Sequence, residues 1–299
     1  MAISQVRAQV NGTWYTLTYD SSSGAYKATI TAPGATSYNQ SGGYYNVTVE
    51  ATNDAGTKAT ADGSTMTGLR LVVKEKVAPV ITILSPSSGA YVTNSKQPVV
   101  FNITDEDGGS GVDLTSVTVK LDGTAAASPA ITQTAITGGY SFTYTPVSAL
   151  TDGSHTVEIS ASDHDGNAAT AKSTSFTVDT VPPTLNVTAP SDGLITNSSS
   201  VTVKGTTNDA TSSPVTITIK LNGTDQGDVT VSGGSFSKNL TLAEGSNTIV
   251  VTATDAAGKT STVTRTITLD TSVPTIQSAA ISPNPADAGA TVVISVVIA

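Results

Sequence analysis

One segment of the chain occurs twice, and this duplication limits what the chain can fold into. Residues 79–89 (PVITILSPSSG) match residues 183–193 (PTLNVTAPSDG) position for position, at an offset of 104 residues (183 minus 79). Further along, Val117–Thr124 recurs as Ile217–Thr224. Duplications with so long a period indicate an array of similar modules rather than one large fold.

The copy that begins at Pro183 contains five runs in which apolar residues alternate with Thr or Ser. The runs are Val201–Lys204, Val215–Leu221, Ser235–Leu242, Asn247–Ala253 and Ser261–Leu269. A period of two is typical of strands that bury one face. About seven short strands separated by turn residues are typical of an immunoglobulin-like sandwich. We therefore predict an all-β chain of tandem immunoglobulin-like (Ig-like) β-sandwich modules.

Proline-containing segments separate the modules. These segments are Lys76–Pro79, Val178–Pro183 and Leu269–Pro274. Proline fixes its own φ and biases the preceding residue toward extended backbone, so we expect stiff linkers and a rod of modules. The predicted divisions are residues 1–77, 78–180, 181–271 and 272–299.

The first and the last divisions are each predicted to hold an incomplete module. Ile3–Gly12 aligns with the third strand, C, of the other modules, because its Asn11-Gly12 turn coincides with their Asp-Gly and Asn-Gly turns. The first module then lacks strands A and B, whereas residues 272–299 hold an orphan A and B pair, too short to fold unaided. The candidate strand-donor residues are Val292, Val293, Ile294, Val296, Val297 and Ile298.

The charge and the composition argue against several classes of function. The chain has 14 basic and 23 acidic residues, a net charge of −9, which disfavours an electrostatic grip on nucleic acid or on an anionic membrane. It has no cysteine, which rules out disulfides and thiolate chemistry within it. The first residues lack the apolar core of a secretory signal, and no apolar run of about 18 residues occurs. If the protein works outside a cell, as we expect, it leaves the cell by a route other than a secretory signal.

The sequence offers little support for catalysis. The chain has two histidines, and the Asp163-His164-Asp165 segment could form an acid–base pair. This segment lies in a predicted hairpin turn, however, and no nucleophile can be assigned to it. The motifs G-x-S-x-G and H-E-x-x-H and a phosphate-binding glycine loop do not occur. We predict a protein that is not an enzyme.

Acidic residues gather in two loops of the second module that meet at one end of an Ig-like sandwich. The candidate calcium ligands are Asp105, Asp107, Asp113, Asp163 and Asp165. Carboxylates gathered in this way repel one another unless water solvates them or a hard cation such as Ca²⁺ bridges them. The alternative is that these residues serve only as turn formers. The counterparts in the third module, Asn208, Asp209 and Asp255, carry less charge, and we expect weaker binding there.

Aromatic residues are concentrated in the first module. Trp14, Tyr44 and Tyr45 are candidates for a face that binds a sugar or a protein, or that accepts a donated strand. Aromatic residues at alternating strand positions also occur in sandwich cores. Both interpretations are consistent with the sequence.

The chain resembles tandem bacterial Ig-like repeat proteins along its whole length. The resemblance rests on residues 77–86 (VAPVITILSP), residues 110–123 (SGVDLTSVTVKLDG) and residues 161–168 (ASDHDGNA), with the VDTVP segment that follows. Such modules occur in cell-surface adhesins and in virion proteins of tailed phages. The resemblance implies the fold well and the function only broadly.

The resemblance implies a structural or assembly protein, and we expect it in a phage virion, in association with the tail. The strand pair of one copy would complete the first module of the next copy head-to-tail, giving a ring or a filament, or would insert into another virion protein. The alternative is an adhesion module on the bacterial cell surface that binds carbohydrate or another host-surface component. A third interpretation is an accessory domain of a secreted enzyme.

Overall fold

The computed structural model describes residues 2–126 and 131–299, which form a first compact unit that ends at Thr180 and a second that begins at Val181. The described residues form strands and turns, with short 3-10 turns at Ser41–Gly43 and Thr67–Leu69. This confirms the prediction of an all-β chain of Ig-like sandwich modules in tandem. Within the described part of the chain, no helix is long and apolar enough to cross a membrane.

The first unit begins with a module whose strands are short. Its strands are β1 (Ile3–Val10), β2 (Thr13–Thr16), β3 (Thr18–Asp20), β4 (Ala25–Lys27), β5 (Tyr45–Asn46), β6 (Thr48–Asn53), β7 (Lys58–Ala61) and β8 (Arg70–Leu71). One sheet has the order β2-β1-β6-β7, while β3 pairs with β4 and β5 pairs with β8. Among the described residues, the buried apolar side chains of this module are Val6, Val10 and Tyr45. Its core is therefore small.

The second module follows in the same unit and is a two-sheet sandwich. Its strands are β9 (Val80–Ser85), β10 (Ala90–Val92), β11 (Val99–Thr104), β12 (Thr118–Leu121), β13 (Thr124–Ala125), β14 (Ile131–Ile136), β15 (Gly139–Tyr144), β16 (Gly153–Ser160) and β17 (Lys172–Val178). The sheets have the orders β14-β15-β11-β9 and β10-β17-β16-β12-β13. Alternating strand residues fill the space between them, among them Phe101 and Phe142, whose rings stack at 5.1 Å.

The second unit begins with a module of the same topology. Its strands are β18 (Thr184–Ala189), β19 (Leu194–Thr196), β20 (Ser200–Asn208), β21 (Thr216–Leu221), β22 (Thr224–Asp225), β23 (Val231–Ser232), β24 (Ser235–Thr241), β25 (Gly245–Thr254) and β26 (Thr260–Leu269). The sheet orders β18-β20-β24-β23 and β19-β26-β25-β21-β22 repeat those of the second module strand for strand. Its core includes Ile219, Ile249 and Ile267, each fully buried.

Equivalent turns recur in all three modules. Asn11, Asp122 and Asn222 each adopt a left-handed backbone conformation, with φ of 46°, 49° and 51°, and a glycine with positive φ follows each of them. Two consecutive residues with positive φ form the hairpin turn that matches the right-handed twist of the flanking strands. The sheet β2-β1-β6-β7 therefore corresponds, strand for strand, to β13-β12-β16-β17.

The second unit ends in a separate hairpin. Its strands are β27 (Ile276–Ser282) and β28 (Val293–Ile298), which pair with each other antiparallel as a two-stranded sheet. Every residue of both strands is exposed.

Candidate cation sites and the junction of the first two modules

Three carboxyl groups converge at the end of the second module that faces the first. They belong to Glu75, directly before the Lys76–Pro79 linker, and to Asp105 and Glu106, which directly follow β11, and one oxygen of each lies within 4.8 Å of the others. Asp105 Oδ2 accepts a hydrogen bond from the backbone N–H of Gly111 at 2.7 Å, whereas its Oδ1 is fully buried and has no hydrogen-bond partner. Desolvation and the adjacent carboxyl groups of Glu75 and Asp105 raise the pKa of Glu106 to about 7.

Asp163, after β16, forms a second acidic position beside this cluster. The side chain is buried, and its two oxygens accept hydrogen bonds from the backbone N–H and the Nδ2 of Asn167 at 2.8 and 2.7 Å. Burial raises the pKa of Asp163, but the bonds from Asn167, with a smaller contribution from Glu75, outweigh it and hold the pKa below its usual value. Asp163 is therefore ionised and already well bonded.

The structure separates the five predicted calcium ligands. Asp105 lies in the carboxylate cluster and Asp163 beside it, whereas Asp107 is exposed in its loop. Asp113 Oδ1 accepts hydrogen bonds from the N–H and the hydroxyl of Thr115, so this residue stabilises its own turn. Asp165 bonds to the first module, as described below. Calcium binding itself stays a prediction, now centred on a different set of residues.

Glu75 and Glu106 complete the cluster, and sequence reasoning had not selected them as ligands. Glu106 lies within the acidic loop, but it was not among the candidate ligands. Glu75 had a signal at the linkers, because an acidic residue precedes the last proline of each linker by four positions. The pairs are Glu75 and Pro79, Asp179 and Pro183, and Asp270 and Pro274.

The third module places two aspartates in the same loops. Asp209 directly follows β20 and Asp255 directly follows β25, and they are only 9% and 5% exposed. Asp209 Oδ1 accepts hydrogen bonds from the N–H groups of Thr211 and Ser212, and Asp255 Oδ1 accepts one from that of Lys259. Asp255 Oδ2 is buried without a hydrogen-bond partner. The lower charge of these loops predicts a less favoured site, but Asp209 and Asp255 are more deeply buried than Glu75, Asp105 and Glu106.

Asp165 joins the acidic end of the second module to the first module. Its Oδ2 accepts hydrogen bonds from Thr36 Oγ1 at 2.5 Å and from the backbone N–H of Glu75 at 3.0 Å. Its backbone N–H donates to Ser110 Oγ, and its carbonyl oxygen accepts from Lys74 Nζ. Thr36 and Ser110 are 1% and 2% exposed, so protein rather than water surrounds these bonds.

Side chains around Asp165 extend the contact between the two modules. The ring of Tyr38 stacks on that of His164, with centroids 4.4 Å apart and planes 9° from parallel. Asn39 Nδ2 donates a hydrogen bond to the carbonyl oxygen of Gly109 at 2.7 Å. The Asp163-His164-Asp165 turn is therefore part of an interface between modules.

The other histidine forms a structural pair. His155 Nδ1 bonds to Asp122 Oδ2 at 2.7 Å and its Nε2 bonds to the carbonyl oxygen of Thr151 at 2.8 Å, so both ring nitrogens are engaged. Burial lowers the pKa of His155, but the bonds to Thr151 and Asp122 outweigh it, and the pKa is raised. An imidazole held in this way has no free nitrogen with which to exchange a proton with a substrate.

The candidate aromatic residues lie in different environments. Tyr45 is buried, and its hydroxyl donates to the carbonyl oxygen of Ala35, which places it in the small core of the first module. Trp14, on β2, is 39% exposed and lies beneath the guanidinium of Arg7 at 4.2 Å. Tyr44 is half-buried beneath Arg70. Trp14 thus stays a candidate contact residue, while Tyr45 belongs to the core.

The first module also leaves apolar surface uncovered. A cavity of about 270 Å³ opens beside its sheet. Its lining includes Val10, Tyr15, Leu17, Ile30, Leu69 and Leu71. In the second unit, the six candidate donor residues, Val292 and the apolar residues of β28, are between 40% and 68% exposed.

Two family models match parts of the chain. Residues 85–180 match the model described as "Bacterial Ig-like domain", and residues 183–271 match the model described as "Glucodextranase, domain B". Bacillopeptidase F of Bacillus subtilis (strain 168) is 33% identical over 127 residues, which are 42% of this chain and 8% of that protein. The chain therefore spans a small part of the length of this relative.

Two solved structures match the chain at low identity and low TM-score. The fibronectin(III)-like modules of Clostridium thermocellum CbhA are 19% identical, with 64% of this chain and 94% of that chain covered and a TM-score of 0.40. A structure from a 1.5-MDa bacterial ice-binding adhesin is 22% identical, with coverages of 90% and 88% and a TM-score of 0.31. The second module thus matches bacterial Ig-like domains, and the third module, which matches the glucodextranase model, repeats its strand order, so the two are tandem Ig-like sandwich modules.

Proposed function

We propose that this chain is a non-catalytic spacer in a bacterial extracellular protein, either a surface adhesin or a secreted enzyme. The matched regions are Ig-like modules, and such modules accompany proteins of both kinds in the comparisons. The relatives named above favour the cell-surface alternative over the phage virion that the sequence had suggested. A spacer has to hold its modules in a defined arrangement, and the junction of the first two modules supports this role.

The observation that carries the proposal is the contact through Asp165. A flexible linker would leave Glu75 solvated, but here its backbone N–H bonds to Asp165 and its carbonyl oxygen accepts from Asn167 Nδ2 at 3.2 Å. The linker backbone is thus tied to the loops of the second module. Because the hydroxyl of Thr36 bonds to the same carboxylate, three segments of the chain meet at one side chain.

The test is the distance between the first two modules in solution. The chain has no cysteine, so the exposed residues Ser21 and Ser148 can be replaced by cysteine and spin-labelled without competing sites. We expect one narrow distance distribution between the labels. Asp165→Ala should broaden it, and the matched control Glu158→Gln, which removes a charge from an exposed ion pair, should not. A broad distribution in the unmodified chain would contradict the spacer proposal.

The adhesion alternative makes a separate prediction. Trp14 is the exposed aromatic candidate, and aromatic rings are common platforms for sugars. If the chain itself binds carbohydrate, a glycan array should detect binding that Trp14→Ala abolishes. If no glycan on the array is bound, this chain does not itself recognise those carbohydrates, which is consistent with a spacer.

Strand donation between copies is a second candidate function. In the complete modules, the sheet orders β14-β15-β11-β9 and β23-β24-β20-β18 place the first two strands beside a hairpin. In the first module the equivalent hairpin, β3-β4, is a two-stranded sheet of its own, next to the apolar cavity. The hairpin β27-β28 of a second copy would restore the four-stranded order, with β28 against β4.

Light scattering after size-exclusion chromatography tests this second candidate. The chain should form concentration-dependent oligomers, because donor and acceptor surfaces differ and the contact can propagate. Removal of residues 272–299, or Ile294→Asp within β28, should abolish them. Ser278→Asp, which adds the same charge to β27, is the matched control. A monomeric mass for the unmodified chain at all concentrations would exclude the candidate.

A further inference from the structure

We propose that the loop ends of the second and third modules each bind a divalent cation of the calcium type. Glu75, Asp105 and Glu106 supply carboxylate ligands at the second module, and Asp209 and Asp255 supply them at the third. This inference goes beyond the spacer role and does not depend on it.

The unpartnered carboxylate oxygen of Asp255 is the main observation. Asp255 is 95% buried, its Oδ1 is occupied by the N–H of Lys259, and its Oδ2 has no hydrogen-bond partner. A buried ionised oxygen without a partner is strongly unfavourable in the absence of a cation. One oxygen of Asp209 lies within 4.8 Å of one of Asp255. Two oxygens that bind one Ca²⁺ at about 2.3–2.6 Å can be separated by up to about 5 Å.

The second module repeats this feature with different neighbours. Asp105 directly follows β11 as Asp209 directly follows β20, and Asp105 Oδ1 is likewise fully buried without a partner. Glu75 and Glu106 bring two more carboxyl oxygens to within 4.8 Å. Each of the two modules therefore holds one buried, unpartnered carboxylate oxygen at this loop end, on Asp105 after β11 in the second module and on Asp255 after β25 in the third.

The donor set favours calcium over transition metals. All five proposed ligands are carboxylates, and neither cysteine nor histidine takes part. Hard oxygen ligands favour Ca²⁺, which accepts six to eight of them, the remainder being supplied by backbone carbonyls and water. Calcium in excess is therefore the appropriate probe, with Mg²⁺ as the comparison ion.

The experiment is calorimetric titration of Ca²⁺ into the full chain after removal of divalent ions with EDTA. We expect two sites, with dissociation constants on the order of 10⁻⁴–10⁻³ M or tighter, as in extracellular calcium modules. Asp255→Asn should remove the site of the third module, and Asp105→Asn should remove that of the second. Glu158→Gln changes the charge equally at an exposed position and should retain both sites.

Thermal unfolding in EDTA and in calcium distinguishes a ligand from a structural aspartate. In EDTA, Asp255→Asn should be at least as stable as the unmodified chain, because the unpaired charge has been removed. In calcium the unmodified chain should become the more stable, since an ion that binds only the folded state stabilises it. A chain that shows no heat and no shift with calcium would overturn the proposal. So would an Asp255→Asn variant that is equally destabilised in both buffers, or one that keeps two sites.

Discussion

The contact through Asp165 should contribute measurably to the stability of the first module, although the residue lies in the second. Asp165→Ala removes the acceptor of hydrogen bonds from Thr36 Oγ1 and from the backbone N–H of Glu75. The first module has few buried apolar side chains of its own. When the first module unfolds while the second stays folded, the contact between them breaks. The loss of the two bonds in the variant therefore lowers the free energy of unfolding of the first module.

The expected magnitude follows from the two bonds. A hydrogen bond to a charged group contributes about 1.5–3 kcal/mol, and the lower end applies because Asp165 is only half-buried. In the variant, the hydroxyl of Thr36 retains a longer bond to the carbonyl oxygen of Val73, at 3.3 Å, which limits the cost of losing its bond to Asp165. We expect a loss of about 2–3 kcal/mol. In urea, with a slope of about 1 kcal/mol/M for a small module, the midpoint should fall by about 2–3 M.

Tryptophan fluorescence reports on the first module alone, because the single tryptophan, Trp14, lies there. The assay is urea unfolding followed by this signal. Glu158→Gln is the control, since its ion pair with Lys120 is exposed at both ends and should contribute less than about 0.5 kcal/mol. If Asp165→Ala moves the Trp14 transition no further than the control does, the junction does not stabilise the first module and the reasoning is wrong.

Two further predictions concern the complete modules. Because the pKa of His155 is raised, its bond to Asp122 contributes its full stabilisation of the folded module below the unfolded pKa of about 6.5. This contribution is lost as the pH rises through the pKa of the folded state. We therefore expect backbone hydrogen exchange, corrected for its intrinsic rate, to quicken with rising pH in the second module. In the third module Asn247 bonds to the corresponding turn, so exchange should not quicken in this way. Equal slopes of exchange rate against pH in the two modules would contradict this. In Gly205→Ala, the new Cβ would lie 2.4 Å from a backbone oxygen, so calorimetry should show the third module destabilised by about 1–3 kcal/mol or more. Gly34→Ala meets no atom within 4 Å, and an equal loss there would refute the steric argument.

The fold was predictable because the repeat and the alternation are local signals. The Asn-Gly and Asp-Gly turns identified equivalent hairpins, since only a few residue types tolerate two consecutive positive φ angles. The alternation in Val215–Leu221 predicts which side chains face inward, and Ile217 and Ile219 are indeed buried. What the local pattern did not provide was the contact between modules, because Tyr38 and His164 are far apart in sequence and neither lies in a periodic run.

The five candidate calcium ligands stay a prediction, and the structure brings a partly different set of carboxylates together in and beside the same loops. Counting charge favours Asp107 and Asp113, but these carboxylates are solvated or bonded to their own turns. Burial decides which acidic groups need an external partner, and burial cannot be read from a loop of aspartates and glycines. Asp255 shows the converse case, since its loop carries little charge while its side chain is almost fully enclosed.

Glu75 takes part in both the junction and the candidate cation site, but through different atoms. Its backbone N–H and carbonyl oxygen bond to Asp165 and Asn167, whereas its carboxylate accepts from Ser110 and faces Asp105. A backbone contact persists whatever the ionisation of the side chain. Docking of the two modules therefore does not require a cation, while a bound cation would add a bond between the linker and the loop after β11. Loss of calcium should thus weaken the junction without undoing it, whereas loss of the Asp165 carboxylate removes the contact at its centre.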